Sequence, residues 1–227
     1  MATYRRRVRA LDVVFPERCA ICSAPGGVLC APCRHALIRL APPVCERCGS
    51  PSSWPVRRCA ECSGRRLAFA RARSAIVYDT RARSLVREWK ERGRRELAHE
   101  AALLVADVIP EPEIEAIVPV PGDPERAWKR GDVAPSALAR ALAELWSAPA
   151  VFLLKRTHSR PRQRGLALAE RRRNVRSSVL AIAPAPRTVC LVDDVYTSGA
   201  TADACAAALR RSGARRIEVV TFARAVR

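Results

Sequence analysis

The sequence predicts an α/β protein in two parts: a small, metal-stapled N-terminal segment, then a mainly parallel sheet with helices on both faces. Three observations predict it. Eight of the ten cysteines lie within residues 19–62 as four Cys-x-x-Cys pairs. Beyond residue 66, short apolar runs alternate with stretches of helical periodicity, the pattern of repeated βα units. One of those runs ends in two adjacent aspartates, followed by a turn of small and hydroxyl residues. The parts are expected to divide into residues 1–66 and 67–227.

The cysteine pairs come first: Cys19/Cys22, Cys30/Cys33, Cys45/Cys48 and Cys59/Cys62. Two-residue spacing lets a tight turn aim two thiolates at one metal, and two such knuckles complete a four-cysteine zinc site. Two zinc ions are the expected load. Spacing leaves the pairing open between sequential (pairs one and two, three and four) and cross-braced (one and three, two and four). A shell of four thiolates has no open position, so these zincs are expected to be structural. They replace the core that about 45 residues cannot build alone. Gly49 and Gly64 follow their knuckles, where a left-handed turn residue is useful. A disulfide framework is the alternative use of such pairs. It needs an oxidising compartment, and the apolar run at 11–15 is too short and too charged for a secretory signal. The chain therefore reads as cytoplasmic. No apolar run approaches the ~20 residues that cross a bilayer, so membrane insertion is not expected. Cys190 and Cys205 stand outside the ladder in apolar settings and read as core.

The charge is as uneven as the cysteines. The 227 residues carry a formal +19, of which +10 falls on residues 1–73 and +8 on residues 155–176. Residues 74–154 sum to −2 and 177–227 to +3. A genome bias toward arginine explains why only Lys90, Lys129 and Lys155 are lysines, but not this placement. Blocks of that density call for a polyanion such as nucleic acid or a phosphate ester. Arg18, Arg34, Arg39, Arg47, Arg57, Arg58, Arg65 and Arg66 would make the zinc segment a nucleic-acid grip. Trp54 can stack on a base or pack beneath the ribbon.

The elements of the larger part follow from their patterns. Residues 74–78 form a short strand. Apolar residues then recur at helical spacing from Thr80 to about Val108, with a break at Gly93. Ile114 to Val120 is a buried-type strand stopped by Pro119 and Pro121. Residues 135–146 form an Ala/Leu helix opened by Pro135 and Ser136. Residues 151–154 are a strand, and 166–173 a helix within the basic block. Thr188 to Val192 (strand), Thr201 to Arg211 (helix), Gly213 (cap) and Ile217 to Phe222 (strand) complete the chain. In such sheets ligands bind at the carboxyl ends of strands, which singles out the loops after Val120 and Val192.

The second of those loops carries chemistry. Asp193 and Asp194 end the strand; Thr197, Ser198, Gly199, Ala200 and Thr201 lead into the helix. Small residues let backbone N–H groups approach a phosphate, hydroxyls add donors, and the helix N-terminus adds partial positive charge. Two carboxylates would repel that phosphate but suit the hydroxyls of its sugar. A sugar phosphate satisfies both halves.

The run Leu191-Val-Asp-Asp-Val-Tyr-Thr-Ser-Gly-Ala-Thr201 resembles the phosphoribosyl-pyrophosphate signature of type I phosphoribosyltransferases. With four Cys-x-x-Cys pairs ahead of it, the whole chain resembles the ComF (ComFC-like) family of bacterial competence proteins. Supporting segments are Trp89-Lys90 with Gly93-Arg94, and Val118 to Pro121 with Arg126, Lys129, Arg130 and Gly131. A further segment comprises Gln163, Leu166, Arg171 to Arg173 and Asn174. The chain departs from the family in reading Asp132-Val133-Ala134 where Phe-Asn-Gln is usual.

The resemblance implies a type I phosphoribosyltransferase-like domain behind a double zinc ribbon. It implies that Asp193 and Asp194 hold the ribose hydroxyls, directly or through Mg²⁺, and that residues 197–201 cradle the 5′-phosphate. Arg126, Lys129 and Arg130 would serve the pyrophosphate, and Lys155, Arg156 and Arg171 would close over it from a flexible loop. It also implies work on single-stranded DNA, in uptake or processing, and contact with a DNA-translocating helicase. In the alternative reading the zinc ribbon is a non-catalytic DNA-binding adaptor and the phosphoribosyl site a ligand sensor or relic.

Overall fold

The computed structural model describes residues 17–122, 134–157 and 179–226. Its elements in chain order are α1 (Ala31–His35), β1 (Arg71–Val77), α2 (Thr80–Arg92), α3 (Leu97–Val108), β2 (Ala116–Pro119) and α4 (Ala134–Leu145). They continue with β3 (Leu154–Arg156), β4 (Val179–Ala181), β5 (Thr188–Tyr196), α5 (Ala200–Arg211) and β6 (Arg216–Arg224). Strands β1, β6, β5 and β2 lie side by side in that order, each pair parallel. The parallel α/β architecture and its N-terminal four-cysteine module are as the sequence predicts.

A parallel sheet must be covered on both faces, and two apolar clusters do this. On one face Ile117, Cys190, Val192, Val220 and Phe222 pack against Leu85 and Trp89 of α2, Leu104 of α3 and Leu138 of α4. On the other, Val118, Leu191, Ile217 and Val219 meet Cys205 and Leu209 of α5. Cys45, Cys48, Cys62 and Phe69 complete this second layer. The alternation of Cys190 and Val192 with Val189 and Leu191 is the period-2 pattern of a strand buried on both sides. Cys190 and Cys205 are core residues, fully buried.

The periodic stretch after Thr80 divides at Gly93, which adopts φ 66° and ends α2. Asp79 opens that helix, its side chain accepting from the Ala82 N–H at 2.9 Å. Two expectations change. Strand β5 runs past Val192 through both aspartates to Tyr196, because β6 pairs with it as far as Arg224. The apolar run 151–154 makes one bond to β2, Val151 N–H to the Ile117 carbonyl. Its ladder instead begins at Leu154 and pairs antiparallel with Val179–Ala181. Of this apolar run only Leu154 is buried and Phe152 is exposed, so the partner strand and not apolarity sets the boundaries. The helix expected at 166–173 lies outside the described residues.

The cysteine segment clasps the free edge of β1. Leu40 N–H donates to the Ala75 carbonyl and Val77 N–H to the Ile38 carbonyl, with an antiparallel bridge between Arg39 and Ile76. On one side of this crossing Ile21, Val28 and Leu29 pack onto the α2–α3 layer. On the other, Cys45 to Phe69 form part of the second layer. Gly49 adopts φ 73°, and a Cβ there would stand 2.5 Å from the Ala72 carbonyl oxygen. The positive φ alone costs a residue with a side chain about 1–2 kcal/mol. Gly49→Ala is therefore expected to lower stability by about 2 kcal/mol or more, read from urea unfolding of the zinc-loaded protein.

Candidate functional site

Among the described residues two groups of four cysteines gather all their sulfurs within 4.8 Å of one another: Cys19, Cys22, Cys30, Cys33 and Cys45, Cys48, Cys59, Cys62. The pairing is thus sequential. Neighbouring sulfurs stand 3.5–3.7 Å apart, as for Cys22–Cys30, Cys45–Cys62 and Cys48–Cys59. A tetrahedron with Zn–S of about 2.3 Å has edges of about 3.8 Å, whereas a disulfide needs about 2.05 Å. Backbone N–H groups of Ile21 and Cys59 point at the sulfurs of Cys19 and Cys45. Both sites fit structural zinc with no open position. The second is the more enclosed, with Cys45, Cys48 and Cys62 buried while Cys22 of the first is exposed.

The acidic pair and the turn stand at the carboxyl end of β5, as predicted. Successive strand residues face opposite ways, and the two aspartates differ accordingly. Asp194 is buried and ion-paired with Lys90 of α2. Asp193 is partly exposed, and its Oδ1 accepts the Asp194 N–H at 2.9 Å. Burial pushes the Asp193 carboxyl up to about 6, opposed by the charges of Lys90 and Arg156. The structure thus brings together Asp193, Asp194, Lys90 and Arg156. Lys155, the neighbour of Arg156 on β3, is exposed. Arg126, Lys129, Arg130 and Arg171 lie outside the described residues.

The turn places small and hydroxyl residues at the start of a helix. Thr197 is exposed, Ser198, Ala200 and Thr201 are partly exposed, and Gly199 (φ 70°) is the N-cap of α5, with Ser198 Oγ accepting the Ala200 N–H at 3.4 Å. First-turn N–H groups have no partner within the helix, and the helix end favours a negative acceptor. The Gly199 backbone rests on Tyr196: a Cβ there would meet the phenol oxygen at 2.1 Å. Burial holds the Tyr196 hydroxyl up at about 12, so it stays neutral.

Sequence reasoning missed three contributors. Lys90 was read only as part of a motif, yet it engages Asp194. Arg65, counted among the DNA-facing arginines, donates to the Ser198 carbonyl at 2.7 Å. Arg224 is buried, bonded to the Cys48 carbonyl at 2.8 Å and Glu61 at 2.6 Å, and stacked 4.5 Å over Tyr196. For Lys90 the available signal was a lone lysine among arginines; for Arg224, a cation inside an apolar strand.

The outer surface of the zinc segment is narrower than its charge implies. Arg34 pairs with Glu100, Arg39 with Asp107, and Arg47 bonds the Ala70 and Leu67 carbonyls. Arg57, Arg58 and Arg66 are exposed, and Trp54 is 68% exposed. Packing of Trp54 beneath the ribbon is thereby excluded.

Fold and site define a class: a parallel-sheet α/β domain whose glycine turn after β5 is built against a segment with two four-cysteine sites. Residues 10–63 match the family model of the double zinc ribbon domain. Along most of its length the chain is homologous to competence protein F of Haemophilus influenzae, 29% identical over 209 residues, 87% of this chain and 90% of that protein. It is likewise homologous to the DNA utilization protein YhgH of Salmonella typhi, 28% identical over 223 residues, 91% and 96% of the two chains. Among solved structures it is similar to the glutamine phosphoribosylpyrophosphate amidotransferase of B. subtilis, with TM-score 0.43, 18% identity, and 60% and 30% of the two chains covered. No described helix is long and apolar enough to cross a membrane.

Two outcomes are expected. Metal analysis gives about two zinc per chain, and serine at Cys22 and Cys30, or at Cys48 and Cys59, removes one of them. Asp193→Asn raises stability by about 1–2 kcal/mol at pH 7, because ionising a carboxyl whose folded pKa is raised opposes folding. In denaturant titrations the gain is full well above pH 6 and vanishes as pH falls below 3.8, where both states hold the proton.

Proposed function

We propose that the chain binds phosphoribosyl pyrophosphate with Mg²⁺ at the end of β5, and that it is a phosphoribosyltransferase-type protein of the cytoplasm that handles single-stranded DNA. One observation carries the ligand reading: a partly exposed carboxylate, Asp193, stands beside the N-terminus of α5, with Lys90 and Arg156 facing it. That combination offers acceptors for sugar hydroxyls, donors for a phosphate and cations for a leaving pyrophosphate. Residues 197–201 would take the 5′-phosphate. Asp193 would hold the ribose hydroxyls, and Asp194, already engaged by Lys90, would hold that lysine in place. Asp193 also offers the oxygen ligand a hard cation requires; Mg²⁺ held there would neutralise charge on the pyrophosphate. In the transfer, a nitrogen nucleophile forms the bond to the anomeric carbon as the bond to pyrophosphate oxygen breaks. The sugar is cation-like at that point, so positioning and charge neutralisation dominate.

A non-catalytic sensor is the second reading, favoured by the Lys90–Asp194 ion pair, which leaves one carboxylate of the two for ligand. Screening bases, nucleosides and DNA ends for pyrophosphate release separates the two: turnover with any acceptor establishes the enzyme.

The DNA reading rests on the exposed Trp54 and the exposed Arg57, Arg58 and Arg66 of the same segment, and on relatives whose names tie them to competence and DNA utilization. Arginines track phosphates without reading sequence, and an exposed indole stacks on any base.

In calorimetry, phosphoribosyl pyrophosphate with Mg²⁺ is expected to bind the wild type, and Asp193→Ala with Asp194→Ala to weaken it at least about tenfold, since charge-assisted bonds contribute roughly 1.5–3 kcal/mol each. A wild type that gives no heat ends the ligand reading. With a single-stranded oligonucleotide, Trp54→Ala is expected to weaken binding about tenfold, given ~1–3 kcal/mol per stacked base. Alanine at Arg57, Arg58 and Arg66 together should flatten the log–log salt slope by about 2, at ~0.7 per phosphate contact.

A further inference from the structure

The second four-cysteine site and the phosphate turn are joined by an unbroken line of contacts. Arg224 begins it. This guanidinium is fully buried, and three groups face it: the Cys48 carbonyl at 2.8 Å, the Cys48 sulfur at 3.8 Å and the Glu61 carboxylate at 2.6 Å. A buried cation needs full compensation, and four thiolates around a divalent ion carry two negative charges more than the ion. With the site loaded, Arg224 sits between that excess and Glu61. The other side of the guanidinium lies 4.5 Å from the centre of the Tyr196 ring, which Phe69 meets edge-on at 6.5 Å. The Tyr196 phenol in turn is the floor under Gly199. Two further struts run beside this line: Arg65, three residues beyond Cys62, bonds the Ser198 carbonyl, and Asp203 in the first turn of α5 accepts the Ala68 N–H at 2.7 Å.

We infer that Arg224 and Tyr196 are positioning residues through which the second zinc site holds the turn at 197–199 in its anion-binding form, so that metal at that site and ligand at the turn stabilise each other. The inference rests on the proposed phosphate role of the turn for its ligand half. The mechanical half stands on the contacts alone. Coupling between two binding equilibria is reciprocal: whatever zinc adds to ligand affinity, the ligand adds to zinc retention. The first site is placed differently, on the α2–α3 layer through Arg18, whose carbonyl accepts from Arg94, and through the Arg34–Glu100 pair.

The test uses the full-length, zinc-loaded protein. Amide hydrogen exchange over residues 196–201 is compared between wild type, Arg224→Gln and Tyr196→Leu, each checked to hold two zinc at the start. Exchange is expected to quicken about tenfold in both variants, and in wild type as a chelator removes metal from the second site. In parallel, phosphoribosyl pyrophosphate with Mg²⁺ is expected to slow chelator-driven release of one of the two zincs several-fold. In cobalt-substituted protein it is expected to shift the thiolate–cobalt absorption, and Arg224→Gln loses both effects. The wild-type measurements need no variant, so a variant that misfolds does not shield the idea. Turn exchange indifferent to loss of the second metal overturns the coupling, whatever the ligand does. Calorimetric binding with unchanged zinc release and an unshifted cobalt spectrum overturns it equally. Faster turn exchange on metal loss, with no ligand binding at all, supports the coupling and ends the phosphoribosyl reading instead.

Discussion

A four-stranded parallel sheet has no face it can leave wet and no edge it can leave open, and that constraint organises this protein. Helices α2, α3 and α4 cover one face. The other has α5 and the antiparallel pair β3–β4, and the remaining area is covered by Cys45, Cys48, Cys62, Leu67 and Phe69. The outer edge of β1 is taken up by residues 38–40. The cysteine segment is therefore a wall of the larger fold. Metal supplies its rigidity because it has too few apolar residues to close on itself, and the sheet supplies the apolar surface it lacks. Each stabilises what the other cannot.

That division explains the arginines. A basic segment read as a footprint for a polyanion turns out to spend many of its cations inward: Arg34, Arg39, Arg47, Arg65 and Arg73 bond carboxylates or carbonyls of this chain. Short loops with few N–H donors in regular ladders leave carbonyls to be satisfied, and a guanidinium with five donors satisfies several at once. Arg47 reaches two carbonyls from one position, and Arg224 reaches a carbonyl, a sulfur and a carboxylate. Lysine, a point charge on a flexible stem, cannot bridge in this way. The outward-facing remainder around Trp54 is correspondingly small and specific in place.

Much of this was legible in the sequence because it depends on local rules. Cys-x-x-Cys spacing encodes a knuckle, Gly93 punctuates the periodic stretch after Thr80, and the acidic pair with its turn is legible as the end of a buried strand leading into a helix. What stayed hidden depends on partners distant in the chain. Spacing could not decide which knuckles share a metal; the crossing at β1 does so, by sending one pair of knuckles to each face. The length of β5 was set by β6, and the start of β3 by β4. Arg224 lies two residues beyond the strand expected at Ile217 to Phe222, and nothing nearby in sequence betrays Cys48, 176 residues away.

The adjacency of Asp193 and Asp194 follows from the same two-faced geometry. On a strand, neighbours in sequence point to opposite sides, so consecutive acids cannot serve one another as a chelating pair across a single face. Asp194 shares the side of Cys190 and Val192, where α2 packs, and α2 delivers Lys90 to it. Asp193 shares the side of Leu191, where β3 and β4 pack, and Arg156 of β3 faces it. Each carboxylate is thus met by a cation from the layer covering its own face. The ion pair beneath Asp194 also brings the Lys90 charge near enough to hold Asp193 partly against the rise that burial imposes. Separating the two acids by one residue would put both on one face, leave one cation unmatched and crowd like charges together. Adjacency is what lets the end of this strand turn one acid toward Lys90 and the other toward Arg156, two residues before the turn at 197–199.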